Sequence, residues 1–193
     1  MYRLNTLAIA VFMVFSFSIN VSILDELDSS YWGEVAREYS LDSSLLYAVA
    51  LMESKKSTDN GFASVTPWMW TLNSSNLSRS YYQTREDAIE ALNSLSNNGV
   101  FDARVNVDIG IMQLNWIWFA KRNVEGILPT DLIDPKTNIK YGAEILRESI
   151  DSAPHDYILG VGRYHSWDNE KARLYGNEVI GISNALKSLR EKS

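Results

Sequence analysis

The sequence contains no cysteine, and only two of its 193 residues are histidine. Without cysteine, neither a disulfide framework nor a thiolate zinc site can form, and cysteine usage carries no information about the redox compartment. The two histidines, His155 and His165, lack the spacing of metal ligands. We therefore expect no metal site and no cofactor.

Positive charge is also scarce. The chain has 18 Lys and Arg residues against 24 Asp and Glu residues, a formal net charge of -6. This balance gives no basic footprint of the kind that nucleic acid or an anionic membrane surface requires, so we expect no nucleic-acid partner. The length and the apolar content predict one domain.

Long apolar runs are confined to the N-terminus, where Leu7–Ile19 follows the single charge of Arg3. This pattern is typical of a secretory signal, and the run is shorter than the roughly 20 apolar residues of a membrane span. Since small residues at Ser16 and Ser18 offer a cleavage site, we expect a signal peptide over residues 1–18. The mature chain would then be exported to the periplasm with a charge of -7, because Arg3 is lost from -6. An uncleaved membrane anchor is the alternative.

The rest of the chain shows helical periodicity and little of the alternation that strands require, which predicts a mainly α fold. Asp42, Thr84 and Asp134 are expected to cap helices. The segment Lys55–Leu77 is rich in Ser, Asn, Gly and Pro, and predicts a loop. The predicted helices lie in Tyr31–Tyr39, Ser43–Ser54, 84–99, 134–151 and 169–193.

Glu53 breaks the apolar face of the second predicted helix. Leu46, Val49, Ala50 and Glu53 follow the spacing i, i+3, i+4 and i+7, so the carboxyl shares the core-facing stripe and should be at least half buried. Burial raises the pKa of a carboxyl, as a general acid working near neutral pH requires. The alternative is a glutamate that reaches water at the helix end or pairs with Lys55, Lys56 or an arginine.

Four separated stretches resemble one family: "LLYAVALMES", "NVDIGIMQLNW", "DPKTNIKYGAEIL" and "GVGRYHS". In order and approximate spacing they are similar to the lytic transglycosylase (SLT) domain, which is related to goose-type lysozyme, over Tyr31–Ser166. The resemblance implies a lysozyme-like helical domain with a substrate cleft, over residues 25–193. The segment "PWMWTLN" is similar to the subgroup encoded with conjugation, type IV pilus and secretion machinery. That implies peptidoglycan as substrate and envelope-spanning complexes as partners.

The resemblance implies that Glu53 is the catalytic acid and then the base. It would protonate the oxygen between N-acetylmuramic acid and N-acetylglucosamine, then deprotonate the 6-hydroxyl of the muramic acid to give a 1,6-anhydro sugar. One carboxylate suffices where the 2-acetamido group of the substrate assists. A muramidase that uses water would need a second carboxylate, for which Asp59, Asp102 and Asp108 are candidates. Asp108 is the best of these, although a turn or capping role would also explain it.

The resemblance also implies the residues that bind substrate, each of which has a structural alternative. Tyr164 matches a tyrosine whose hydroxyl bonds the catalytic glutamate, and His165 stands where asparagine is usual. Packing at a helix start would equally explain the residues of "GIMQLN". Exposure to solvent would explain Ser54, and anchoring of the loop onto the core would explain Trp70. The remaining predicted binding residues are Gln113, Met112, Asn115, Ser54 and Trp70.

The other tryptophans are assigned either to sugar binding or to packing. One of Trp68 and Trp70 is expected to stack on sugar and the other to pin the loop. Trp116 and Trp118 are expected to lie in the core. The competing functions are a lytic transglycosylase, a glycan-binding adaptor that does not cut, and a muramidase.

Overall fold

The computed structural model describes residues 23–58, 64–75, 77–96, 101–122 and 124–190. The predicted signal peptide, Asp59 and the predicted helix stop at Gly99 lie outside these residues. The helices of the described residues are α1 (Ile23–Ser29), α2 (Tyr31–Glu38), α3 (Ser43–Ser54), α4 (Arg85–Asn93), α5 (Trp116–Ala120), α6 (Pro135–Asp151), α7 (Tyr157–Gly162) and α8 (Asn169–Arg190), with a 3-10 helix at Pro129–Ile133.

The predicted helix caps are confirmed. Backbone amides of the first turns donate to the side chains of Asp42, Thr84 and Asp134, at 2.9, 3.1 and 2.9 Å respectively. Each bond satisfies an amide that has no partner inside the helix. The predicted mainly α class is likewise confirmed.

Two small antiparallel sheets correct the prediction of a loop over Lys55–Leu77. One pairs β1 (Lys55–Thr58) with β2 (Ser64–Pro67), and the other has four strands. Each strand has only two to four residues, too short to display alternation, and pairing with neighbouring strands determines its conformation. The strands of the second sheet are β3 (Thr71–Ser74), β4 (Ser80–Tyr81), β5 (Val107–Ile109) and β6 (Leu114–Asn115), and their order in the sheet is β4-β3-β5-β6.

Helix α3 lies at the centre of the core and packs against α2, α8 and β2. Leu46, Val49 and Ala50 are fully buried, as predicted. Trp116 is buried, as predicted, whereas Trp118 is 68% exposed, which corrects its predicted place in the core. Helix α5 has only five residues and packs by one face.

Close contact between α7 and α8 depends on two glycines. A Cβ at Gly162 would overlap the backbone of Ala172, and one at Gly176 would overlap the backbone of Ile158. This approach sets the position of the neighbouring Tyr175. No described helix is both long and apolar enough to cross a bilayer.

Candidate active site

Glu53 lies in the last turn of α3 with its side chain turned inward. The residue is 9% exposed, so the prediction that it shares the buried face is confirmed. Ser54 follows it and is fully buried; its hydroxyl contacts the carbonyl of Ala50 at 3.1 Å and that of Ile111 at 2.7 Å. The hydrogen bond from Ser54 to Ile111 therefore holds the end of α3 that carries Glu53.

Burial raises the pKa of Glu53 to about 7, against 4.5 for an ordinary glutamate. A hydrogen bond from Tyr175 lowers this pKa, the charge of Asp108 raises it, and the charge of Arg79 lowers it. Burial dominates because it removes water from the carboxylate, and the other contributions act against one another. The acid and its conjugate base are consequently both populated near neutral pH.

Tyr175, on α8, donates a 2.6 Å hydrogen bond to Oε1 of Glu53. Its ring stacks on His165 with centroids 4.8 Å apart and an interplanar angle of 3°. Nδ1 of His165 lies 3.8 Å from the same carboxyl oxygen, and the imidazole is 54% exposed. Glu53, Tyr175 and His165 thus form one cluster, which places His165 at the predicted site.

Tyr164 does not make the predicted hydrogen bond to Glu53. Its hydroxyl donates instead to the carbonyl of Met112 at 2.7 Å. The single hydroxyl proton is committed there, and Tyr175 supplies the donor to the glutamate. Burial and the charge of Glu53 together raise the pKa of Tyr164, so it remains a neutral donor.

The turn Gly110–Gln113, between β5 and β6, is held by side chains from several elements. Gly110 has a φ of 79° and Gln113 has a φ of 50°, the left-handed region. Asn138, on α6, accepts from the amide of Met112 at 2.7 Å and donates to the carbonyl of Ile109 at 2.9 Å. With the bonds from Ser54 and Tyr164, contacts from α3, α6 and the end of α7 meet at this turn.

Two predicted binding residues have no surface to offer a sugar. Met112 is fully buried against Gly142, where a Cβ would lie 2.8 Å from the Cβ of Met112. Ser54 is buried and bonded to backbone carbonyls. The structure therefore corrects the prediction of cleft contacts for both and gives them packing and anchoring roles.

Gln113 is 9% exposed and both of its amide protons are engaged. Nε2 donates to the carbonyls of Thr71 and Gly110 at 3.1 and 2.8 Å. Its Oε1 is buried without a partner among the described residues. Contact between Gln113 and substrate stays a prediction.

Asn115 lies beside Asp108, the best candidate for the second carboxylate that a muramidase would need. Its amide donates to Asp108 at 2.8 Å and to Asn106 at 2.8 Å, and its Oδ1 caps α5. Asn73 donates to the other oxygen of Asp108 at 3.0 Å. Asp102 instead forms an exposed ion pair with Arg104.

Trp68 and Trp70 are half buried, and neither lines the cavity that opens over Glu53. The indole N–H of Trp68 donates to the carbonyl of Tyr82 at 2.6 Å, which matches the predicted pinning role. Trp70 packs against the core, and its buried Nε1 has no partner in the described residues. Stacking of Trp70 on sugar stays a prediction.

A cavity of about 330 Å³ opens over Glu53. Sequence reasoning missed most of its wall, because α8 has the periodicity of an ordinary scaffold helix and Arg79 follows a serine-rich turn. The one available signal was the spacing of Lys171, Leu174, Tyr175 and Glu178 on one helix face. The lining residues are Met52, Glu53, Arg79, His165, Lys171, Leu174, Tyr175 and Glu178.

Comparisons with known proteins bear on this arrangement. A search of curated proteins and a search of solved structures each found no match. The family model of the transglycosylase SLT domain matches residues 88–178, just under half of the chain. That range includes Tyr164, His165 and Tyr175 but begins after Glu53 and Arg79. The chain is therefore similar to the transglycosylase SLT domain over this range, and the mainly α fold of the described residues is consistent with that similarity.

Proposed function

We propose that this protein is a peptidoglycan lytic transglycosylase in which Glu53 is the catalytic acid and base. The observation that carries the proposal is a buried carboxyl with a pKa of about 7, facing a cavity and oriented by Tyr175. The SLT match supports lytic transglycosylase activity on peptidoglycan, and the role of Glu53 is our assignment.

In the first step, neutral Glu53 donates its proton to the glycosidic oxygen as the bond to C1 of N-acetylmuramic acid breaks. The N-acetylglucosamine leaves with a free hydroxyl, and the acetamido oxygen of the muramic acid stabilises the positive charge at C1. In the second step, the 6-hydroxyl attacks C1 and gives its proton to the Glu53 carboxylate. The glutamate returns to its neutral state, no water is consumed, and the product is a 1,6-anhydro end.

A pKa near 7 suits both steps. A carboxyl with an ordinary pKa would be almost fully ionised at neutral pH and could not donate the first proton. A much higher pKa would hinder release of that proton. Tyr175 lowers the pKa of Glu53 because it donates to the charged form, which moderates the effect of burial.

Mass spectrometry of the fragments released from purified peptidoglycan tests the proposal. We expect anhydromuramic ends from the unmutated protein and no release by Glu53→Gln, a near-isosteric change that removes the proton donor. Circular dichroism of both proteins controls for folding. Reducing ends would assign a muramidase instead, and Asp108 would be its second carboxylate.

Absence of release by a folded, unmutated chain would favour the adaptor that binds glycan without cutting. Release by the Glu53→Gln variant at the unmutated rate would remove Glu53 from the mechanism. The first outcome separates the transglycosylase from the adaptor, and the second tests the role of Glu53.

The cellular role is a further part of the proposal. The predicted signal peptide over residues 1–18 supports export to the periplasm, and "PWMWTLN" supports local wall opening for a conjugation, pilus or secretion apparatus. With a net charge of -6, the chain has little electrostatic attraction to an anionic wall, so we infer recruitment by an envelope-spanning complex. Affinity capture from cells that recovers no component of such a complex would contradict this role.

A further inference from the structure

The wall that α8 contributes to the cavity is charged differently at its two ends. Lys171, Leu174, Tyr175 and Glu178 line the cavity and follow the spacing of one helix face. Lys171 lies in the first turn and Glu178 lies seven residues later, about 10 Å along the helix axis at 1.5 Å per residue. A ligand in the cavity therefore meets a cation at one end of this wall and an anion at the other.

A second cation reaches the cavity from another element. Arg79 precedes β4 and lines the cavity, and its charge lowers the pKa of Glu53. Among the described residues, neither Arg79 nor Lys171 forms an ion pair. Both side chains are exposed, so both charges are available to a ligand.

Neither Asp168 nor Glu178 forms an ion pair with Arg79 or Lys171. Asp168 accepts a hydrogen bond from the backbone amide of Lys171 at 2.9 Å, as a helix cap does. Glu178 lies two turns away on α8. Two cations from separate elements therefore line one cavity with no ion-pair partner among the described residues.

We propose that Arg79 and Lys171 form a binding site for a carboxylate of the peptidoglycan strand. This inference rests on the proposed function. N-acetylmuramic acid differs from its neighbour by a lactyl group, which ends in a carboxylate when it is free and otherwise leads into a peptide whose carboxylates lie further out. Arginine and lysine both bind carboxylates through charge-assisted hydrogen bonds.

The opposite charge of Glu178 gives the site a direction. A carboxylate is attracted to the Lys171 end of the wall and repelled from the Glu178 end, so one orientation of the strand is favoured. The site thereby distinguishes N-acetylmuramic acid from N-acetylglucosamine, which carries no charge.

Binding to a non-cleaving variant tests the inference. In the Glu53→Gln background, calorimetry would compare a tetrasaccharide that has free lactyl carboxylates with the same tetrasaccharide after conversion of those groups to amides. We expect Arg79→Gln and Lys171→Gln each to weaken binding of the carboxylate form about threefold to fivefold, the range of an exposed charge pair. Binding of the amide form should not change. Lys121→Gln, an exposed cation outside the cavity, is the matched control and should leave both affinities unchanged.

A fragment that bears the stem peptide distinguishes the source of the carboxylate. A charge-dependent loss with the free lactyl ligand assigns the lactyl carboxylate, and a loss only with the peptide-bearing ligand assigns the stem. Equal weakening of the acid and amide ligands would overturn the inference while leaving the proposed function intact. Failure of the Glu53→Gln protein to bind any of the three ligands would overturn both.

Discussion

At the scale of single residues, the chemistry of the site depends on opposing effects on one carboxyl. Burial raises the pKa of Glu53 and the Tyr175 hydroxyl lowers it, with a net value of about 7. Since Tyr175 is itself buried and burial raises its own pKa, it stays protonated and keeps its donor role. A small change at Tyr175 should therefore alter the proton affinity of Glu53 without rebuilding the site.

Tyr175→Phe is expected to reduce activity about tenfold to a hundredfold, as loss of a group that orients an acid does. The limb of the pH–rate profile assigned to Glu53 should also move to higher pH, because the removed hydrogen bond favours the carboxylate. Release of anhydro products, measured across pH, reports both effects.

Tyr164→Phe is the matched control for that experiment. Its hydroxyl bonds the Met112 carbonyl, so its loss should lower stability by about 1–2 kcal/mol and leave the pH limb in place. If the two variants shift the limb equally, the separate roles of these tyrosines are wrong.

At the scale of elements, the turn Gly110–Gln113 joins the helices to the small sheet. The fully buried Asn138 of α6 makes three hydrogen bonds near it, with the amide of Met112 and the carbonyls of Ile109 and Leu132. These backbone groups are buried, so water cannot take the place of the Asn138 amide unless a cavity admits it. Asn138 is therefore a structural requirement of the site.

Asn138→Ala should lower the free energy of unfolding by about 3–5 kcal/mol, because three buried backbone groups lose their partners together. Denaturant titration measures the loss. Asn177→Ala, an exposed asparagine on α8, should change stability by less than about 0.5 kcal/mol. A loss below 1 kcal/mol for Asn138→Ala would show that the turn does not depend on it.

The sequence was a good guide to helices and a poor guide to what faces the cavity. Helical periodicity and cap residues act locally, so the ends of α3 and α6 and the burial of Glu53 could be predicted. The strands near Lys55 and Thr71 depend on pairing with residues distant in the chain, which no local pattern reports. The wrong prediction that Tyr164 donates to Glu53 has the same origin. Tyr175 donates instead, and its position depends on the close packing of α7 and α8.

At the scale of the whole molecule, the raised pKa of Glu53 makes stability depend on pH. Below about pH 4.5 the carboxyl is protonated in both the folded and unfolded chains and does not oppose folding. Between that pH and about 7, the unfolded chain releases its proton while the folded chain retains it, so stability falls as pH rises. Above about pH 7 the loss levels off near 3 kcal/mol.

Glu53→Gln should remove this dependence. We expect the variant to be more stable than the unmutated protein at pH 8, and this advantage to shrink by about 3 kcal/mol as the pH falls to 4. Unfolding curves of both proteins at each pH provide the difference, in which the other titrating groups cancel. If the stability difference between the two proteins does not change with pH, the pKa of Glu53 is the same in the folded and unfolded chains. Glu53 would then be in contact with water.

The bond from the Ser54 hydroxyl to the Ile111 carbonyl also has an evolutionary consequence. It joins the end of α3 directly to the turn, while the chain between them runs from Lys55 to Gly110. Closing a longer loop adds free energy only slowly with length. Exposed turns of this segment can therefore change in length without moving Glu53, whereas the buried Leu72 and Leu92 and the cavity residue Arg79 must keep their places.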